Sequence, residues 1–233
     1  MDDWIDFYDS AHTIYVNARH RDVHFRRIAD DIARYVPSSS AVVLDYGCGE
    51  ALHADRVAAA AGRLLLVEPA PGVRARLASR WRDHGKIEVR SPDALSSLPD
   101  RSIDLLVMHS VAQYLTPQEL ERTLALFRRL VKRDGLFILG DVMPPKVTAL
   151  TDALALLGFG AGNGFFWAAA IGLVRTVFSS YWRLRSTVGL ARYDAQAIIA
   201  KLAAAGFAAR RAPQNIGHNQ ARMTFVAKPS NEE

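Results

Sequence analysis

The sequence predicts an α/β protein: a doubly wound, mostly parallel sheet with helices on both faces, a C-terminal antiparallel hairpin, and a helical insertion after the fifth strand. Three observations lead there. Short apolar runs alternate with segments of helical periodicity, which implies parallel strands joined by right-handed crossovers. A glycine-rich turn, Gly47-Cys48-Gly49, follows the first such run. From Asp141 onward the alternation lapses into a long apolar stretch. A chain of 233 residues, half of them hydrophobic, suffices for one large core of this kind.

Taken in order, residues 17–36 carry Val23, Phe25, Ile28, Ile32 and Val36 at roughly helical spacing between Arg and Asp faces, the pattern of an amphipathic helix. This makes residues 1–36 an N-terminal helical segment and 37–233 the main domain. Pro37-Ser38-Ser39-Ser40 ends the helix, and Ala41-Val42-Val43-Leu44 is short enough for a buried strand. A helix over about 52–61 stops at Gly62, and Leu64-Leu65-Leu66-Val67 is the second strand. A helix over about 71–83 leads to the third, Ile87-Glu88-Val89-Arg90. The fourth is Ile103 to Met108, and a helix over 117–132 opens on Pro117 and closes on basic residues. Gly135 introduces the fifth, Leu136-Phe137-Ile138-Leu139. Residues 193–205 are again helical, Gly206 caps them, and 207–214 with 221–227 suit the closing hairpin.

The insertion occupies 144–190, and from Ala153 to Val174 it has no charged residue. A membrane span needs about 20 apolar residues, so length alone would permit one. However, Gly158, Gly160, Gly162, Asn163 and Gly164 cut the stretch into two pieces, each too short to cross. Its aromatics are Phe159, Phe165, Phe166, Trp167 and Phe178, followed by Tyr181-Trp182-Arg183-Leu184-Arg185. That chemistry suits a lid over a hydrophobic acceptor, ordinary packing against the core or a second subunit, or peripheral contact of 147–185 with an anionic membrane surface.

The formal charge is +5, but the arginines are spread over several helical faces, which argues for solvated surfaces and against a nucleic-acid tract. Cys48 is the sole cysteine, so there is no internal disulfide framework, and a reducing compartment fits. The opening Met1-Asp2-Asp3-Trp4 lacks the basic and apolar parts of a secretion signal. The expected location is the cytoplasm, peripheral at the membrane if the insertion meets lipid.

A glycine turn after a first strand is common to many nucleotide-binding folds. Its neighbours narrow the ligand. A dinucleotide fingerprint requires a third glycine where this chain has Leu52, and no Gly-Lys-Ser/Thr of a phosphate-binding loop occurs. Asp45, immediately before the glycines, would repel a pyrophosphate but suits a ligand bearing an ammonium group. S-adenosylmethionine has an α-amine and a sulfonium and no phosphate. Glu68 closes the second strand, where an acidic side chain accepts hydrogen bonds from ribose hydroxyls.

Val43-Leu44-Asp45-Tyr46-Gly47-Cys48-Gly49, Leu66-Val67-Glu68-Pro69, Ser91-Pro92-Asp93-Ala94 and Ser102-Ile103-Asp104-Leu105-Leu106-Val107 together resemble the class I S-adenosylmethionine-dependent methyltransferase family, of Rossmann-like fold. Arg133-Asp134-Gly135 before the fifth strand is similar to that family's signature there, and the resemblance covers roughly residues 40–142. It implies that Asp45, Gly47, Cys48 and Gly49 surround the methionine end, that Glu68 with Pro69 holds the ribose, and that Asp93 with Ala94 meets the adenine edge. One departure is Ala51, where the family often has a third glycine. Alanine is tolerable there unless the position demands positive φ.

Methyl transfer is an in-line displacement, so the protein chiefly aligns the reactants and removes a proton where the acceptor carries one. His109, just past the fourth strand, is the first candidate for a base, for an acceptor-orienting group or for a cofactor contact; a histidine that merely bonds a loop carbonyl is the plain alternative. Ser110, Gln113, Tyr114 and Asp141 share that end of the sheet. Tyr15 and His20, in the polar and aromatic run 12–20, are candidates in a lid over the cofactor. His20 and His24 have a metal-compatible spacing, but no H-E-x-x-H glutamate or third ligand accompanies them, so no metal is expected.

The expected function is methyl transfer from S-adenosylmethionine to a small, hydrophobic or amphiphilic acceptor. Asp141-Val142-Met143-Pro144-Pro145 lacks the stacking aromatic of a base-methylation motif, which lowers nucleic acid as acceptor. The alternative from another class is a non-catalytic S-adenosylmethionine-binding or partner protein of the same fold. A nicotinamide oxidoreductase fails on Asp45 and Leu52.

Overall fold

The computed structural model describes residues 3–9, 15–176 and 190–230. Within them, β1 (Val42–Tyr46), β2 (Arg63–Val67), β3 (Ile87–Arg90), β4 (Ile103–His109), β5 (Val131–Val142), β6 (Phe207–Arg211) and β7 (Met223–Pro229) form one sheet in the order β3-β2-β1-β4-β5-β7-β6. Strands β1 to β5 are parallel, β7 is antiparallel to β5, and β6 is antiparallel to β7. The order reverses between β1 and β4. A crevice therefore opens at their C-terminal ends, where open α/β sheets bind ligands.

Successive strand side chains point to opposite faces, and here both faces are apolar. Val43, Leu64, Leu66, Leu105, Val107 and Ile138 pack with Ile32 of α2 (Ala18–Ala33), Val57 of α3 (Ala54–Ala60) and Leu77 of α4 (Pro71–Arg80). Leu44, Leu65, Val67, Leu106, Phe137 and Leu139 pack with Leu124 and Phe127 of α5 (Pro117–Leu130) and Leu202 of α8 (Ala195–Ala204). Each such buried side chain contributes about 1.5–3 kcal/mol relative to exposure. Phe127 anchors this second layer, its ring 5.1 Å from that of Tyr46 and 5.3 Å from that of Phe137.

Helix α5 begins as its sequence predicts, with a Thr116–Glu119 capping box and Pro117 in the first turn. It ends sooner than expected. Val131 already pairs with Ile103 in the sheet, and Lys132 reaches Asp104 at 2.7 Å, so strand pairing overrides the helical pattern. The register then slips until Leu105 faces Leu136. Gly135 sits in this slip, where a Cβ would lie 3.0 Å from the carbonyl oxygens of Ile103 and Asp104.

The insertion forms two helices, α6 (Ala149–Asn163) and α7 (Phe166–Thr176). Three of the four glycines between 158 and 164 do not break it: Gly158, Gly160 and Gly162 lie inside α6, and only Gly164, at φ +75°, ends the helix. Gly160 instead admits the returning chain, since a Cβ there would meet Ala169 Cβ at 3.2 Å. No helix among the described residues is long and apolar enough to cross a membrane. Leu154, Trp167, Ile171 and Val174 are exposed on the outer face of the pair. Phe178 and Tyr181 to Arg185 lie outside the described residues.

The N-terminal segment and the insertion share a small core of Val23, Phe165 and Ala169, and Val16 fills the space above Gly172, where a Cβ would fall 2.3 Å from it. At the front, α1 (Asp3–Asp9) bridges two elements. Trp4 stacks on Tyr114, and Asp9 accepts a 3.0 Å bond from Val73 N–H, serving as the N-terminal cap that α4 lacks in its own sequence. Below α6, Arg222 donates to Asp141 at 2.6 Å and to Asp152 at 3.3 Å, which ties the insertion to the sheet through a nearly buried ion network. Removing the cation alone would leave two carboxylates enclosed. Arg222→Met is expected to lower stability by about 3–5 kcal/mol in a denaturant titration, and a loss within experimental error of zero would show that the network does not hold the insertion.

Candidate functional site

A cavity of about 600 Å³ opens at the C-terminal ends of β1 and β4, within the common range for small-molecule sites. One end is built by the turn after β1. Gly47 and Gly49 have φ of +69° and +59°, and a Cβ on Gly47 would stand 2.4 Å from Val111 Cγ2. The turn's amides face inward: Gly47 N–H donates to Val67 O at 2.7 Å, and Gly49 N–H donates to Glu68 Oε2 at 2.8 Å. Glu68 Oε1 accepts from Ala70 N–H at 2.9 Å, and Arg74 donates to the carbonyls of Glu68 and Pro69. Amides committed in this way cannot cradle a phosphate. Each Glu68 oxygen keeps a lone pair for a hydroxyl donor.

Asp45 lines the same end and has no hydrogen-bond partner among the described residues. Its register neighbour is Leu66, two residues before Glu68. Burial, reinforced by the Glu68 charge, pushes its carboxyl up to about 7. Burial also raises Glu68, against which the Ala70 and Gly49 amides pull. Cys48 lies on the wall, its thiol held far above the usual range by burial and so protonated. Ala51 has φ +36°, so the position does impose the left-handed backbone that glycine would adopt freely. From the α2 side, Arg21 pairs with Glu50, and His53 and Asp22 hydrogen-bond at 2.8 Å.

Pro69, Asp93 and Ala94 stand outside the cavity wall. Asp93 is exposed in a 3-10 turn, Pro92–Ser97, anchored by the buried Leu95. His109 does line the cavity; its Nδ1 is buried without a partner, packed where a Cβ on Gly140 would lie 2.8 Å away. Burial lowers its pKa, which the Asp141 charge partly opposes, so the ring is neutral near pH 7. Beside it, Ser110 and Asp141 have φ of +58° and +61°. Such strain in non-glycine residues persists only where the surroundings enforce it. Here Asp141 accepts from Ser110 Oγ at 2.7 Å, Asn215 Nδ2 at 3.1 Å and Arg222 at 2.6 Å, so it buttresses the site and is saturated as a ligand.

Tyr15 and His20 meet at the opposite end, with ring centroids 5.6 Å apart. His20 is buried, and burial lowers its pKa to about 4. Its Nδ1 accepts from Val16 N–H at 3.3 Å, so the single proton of the neutral ring sits on Nε2. That makes His20 Nε2 a hydrogen-bond donor and not a base. His24 and His218 complete this end, 5.9 Å apart. Among the described residues no group of three or more His, Cys, Asp or Glu is arranged to hold a metal. His218 and Arg222 carry no motif or periodicity. Their one sequence signal is the connection 212–222, longer than an ordinary hairpin turn and pinned to α2 by the 3.0 Å bond from Gly217 N–H to Asp31.

Residues 44–139 match the family model described as a methyltransferase domain. No curated protein matches the chain. Among solved structures, a DhpI–SAH complex aligns over 98% of this chain and 96% of its own, with TM-score 0.62 and 14% identity. The 1,6-didemethyltoxoflavin-N1-methyltransferase of Burkholderia thailandensis, solved with its substrate and S-adenosylhomocysteine, aligns over 99% and 87%, with TM-score 0.61 and 14% identity. The mitomycin 7-O-methyltransferase MmcR aligns over 88% and 54%, with TM-score 0.61 and 18% identity. At these identities the likeness is one of fold.

The raised pKa of Asp45 has a consequence for stability. Between the ordinary carboxylate value of 3.8 and about 7 the folded chain binds a proton that the unfolded chain has released, so this group's contribution falls as pH rises across that window. Asp45→Asn is therefore expected to melt above the parent protein at about pH 8 and level with it at about pH 4. Scanning calorimetry at the two values checks this; a lower melting temperature at both would refute it.

Proposed function

From the premise that the chain carries a class I S-adenosylmethionine-dependent methyltransferase domain of Rossmann-like fold, we propose that it transfers the methyl group of S-adenosylmethionine to a small, hydrophobic or amphiphilic acceptor. The observation that carries this reading is Asp45, an unpartnered carboxylate beside a turn whose amides are already bonded inward. Such a site rejects phosphate and suits an ammonium group. In this reading Asp45 takes the α-ammonium, Gly47, Cys48 and Gly49 lie along the methionine chain, and Glu68 accepts from the ribose hydroxyls. Pro69 would lie beside the ribose with Glu68, and Asp93 with Ala94, matched by the family pattern, would meet the adenine edge. When bound, the cofactor supplies an electrophilic methyl carbon on a positively charged sulfur.

The protein's part is alignment and proton removal. His109, neutral and at the end of β4, takes the proton that a hydroxyl or amine acceptor sheds, and the neighbouring Asp141 charge stabilises the resulting imidazolium. Ser110 and Arg222 hold Asp141 in place for this. His20 donates to the acceptor, and Tyr15 and Trp4 line the same cavity. Support for a small acceptor comes from the enclosed, largely apolar wall and from the two relatives of this fold named for N-methylation of didemethyltoxoflavin and O-methylation of mitomycin.

Calorimetry against S-adenosylhomocysteine and NAD tests the cofactor: only the former is expected to bind, and the reverse result would overturn the reading. Because the ammonium requires ionised Asp45, affinity is expected to weaken as pH falls below about 7, approaching tenfold per unit, and Asp45→Ala to abolish measurable binding. His109→Ala is expected to retain S-adenosylhomocysteine affinity and to slow transfer by about 10²–10⁴. Unaltered turnover would remove His109 from the mechanism, and binding without turnover on any acceptor would favour a non-catalytic binding protein.

A further inference from the structure

The far end of the cavity is lined by rings drawn from two separate parts of the chain and backed by a third. Tyr15, His20, His24 and Phe25 come from the N-terminal segment, and His218 comes from the β6–β7 connection. Behind them stand two phenylalanines of the insertion: Phe165 stacks on His20 at 5.0 Å and 21°, and Phe159 stacks on His218 at 4.5 Å and 15°. Each imidazole thus has one face occupied and its orientation set, and each lines the cavity. Phe25 joins this end to the cofactor turn, its ring 5.3 Å from His24, 5.7 Å from Tyr15, and 3.9 Å from where a Cβ on Gly49 would stand.

We propose that this ring-lined end is the acceptor subsite and that its occupant is an uncharged, planar aromatic or heteroaromatic molecule bearing an oxygen or nitrogen that accepts a hydrogen bond from His20 Nε2–H. The proposal rests on the methyl-transfer reading. Planarity follows from the walls, whose lining is aromatic rings against which a flat guest packs best. The donor follows from the Val16 N–H bond, which commits Nδ1 and leaves the proton on Nε2. Neutrality follows from the charges. Asp141 and Asp152 are bridged by Arg222, Arg21 is paired with Glu50, and burial holds His20, His24 and His218 uncharged. A charged guest would find no counter-ion at this end and would lose its hydration. The same proton placement argues against a metal on His20, since a ligating Nε2 must present a lone pair.

The test uses umbelliferone, a fluorescent planar phenol with a lactone carbonyl, titrated into the full-length protein at about pH 7 with and without S-adenosylhomocysteine. Saturable binding is expected, displaced by naphthol and not by naphthalene sulfonate or decanol. His20→Phe keeps the stack on Phe165 and removes the donor; it should weaken umbelliferone about fivefold to tenfold while S-adenosylhomocysteine affinity, read by calorimetry, stays unchanged. Tyr15→Leu, which removes one planar wall, should weaken it comparably. The proposal is overturned if umbelliferone fails to bind a protein that binds S-adenosylhomocysteine, if the sulfonate or decanol competes as well as naphthol, or if both variants bind like the parent. A zinc-dependent rise in melting temperature that His20→Phe abolishes would overturn it in favour of a metal centre. Should S-adenosylhomocysteine itself not bind, the methyl-transfer reading falls, and the titration without it still decides the subsite.

Discussion

The site depends on the bond from the Gly49 amide to the Glu68 carboxylate, which ties the turn after β1 to the end of β2. With Gly47 N–H held by Val67 O, it turns the loop amides toward the protein and leaves a carboxylate-lined hollow where a phosphate-binding fold would offer donors. The arrangement carries a cost, because Asp45 then faces Glu68 across a poorly solvated space and resists ionisation. A cationic guest relieves that cost. The same feature that disfavours a second negative charge there favours a positive one.

A second buried network governs the other half of the cavity. Asp141 adopts a left-handed backbone conformation at the end of β5, adjacent to Ser110, which does the same after β4. Hydrogen bonds from Ser110, Asn215 and Arg222 hold it there, and Arg222 extends the network to Asp152 on α6. The position of the insertion is thus coupled to the geometry around His109. Asp31 does the equivalent on the opposite side, fixing the connection that bears His218 to α2. Chemistry near the sheet and enclosure by the insertion are parts of one polar framework.

Much of this was legible in the chain. Continuous apolar runs across Leu64 to Val67 and Leu105 to Met108 specify strands buried on both faces, and those residues divide between two cores as that pattern requires. Boundaries were less legible where a local preference met a tertiary one. Lys132 reads as the end of a basic helix, yet its pairing beside Asp104 places it in a strand. Gly158, Gly160 and Gly162 read as interruptions, yet helix packing against α7 makes a missing side chain useful at Gly160. Ala51 reads as a harmless substitute for glycine, and its positive φ shows that the turn keeps its geometry regardless.

By itself the sequence determined the alternation of strands with helices, the turn, and the carboxylates Asp45 and Glu68, because these depend on residues adjacent in the chain and on periodicities that local sterics enforce. Only the tertiary structure decided which remote segments meet. It brought His20 against His218 and Phe165 and committed Asp141 to Arg222. Those contacts join positions far apart in the chain through packing and buried hydrogen bonds, whose partners no local pattern encodes. The glycine turn is therefore written in a motif, whereas the ring-lined end of the cavity exists only in the folded protein.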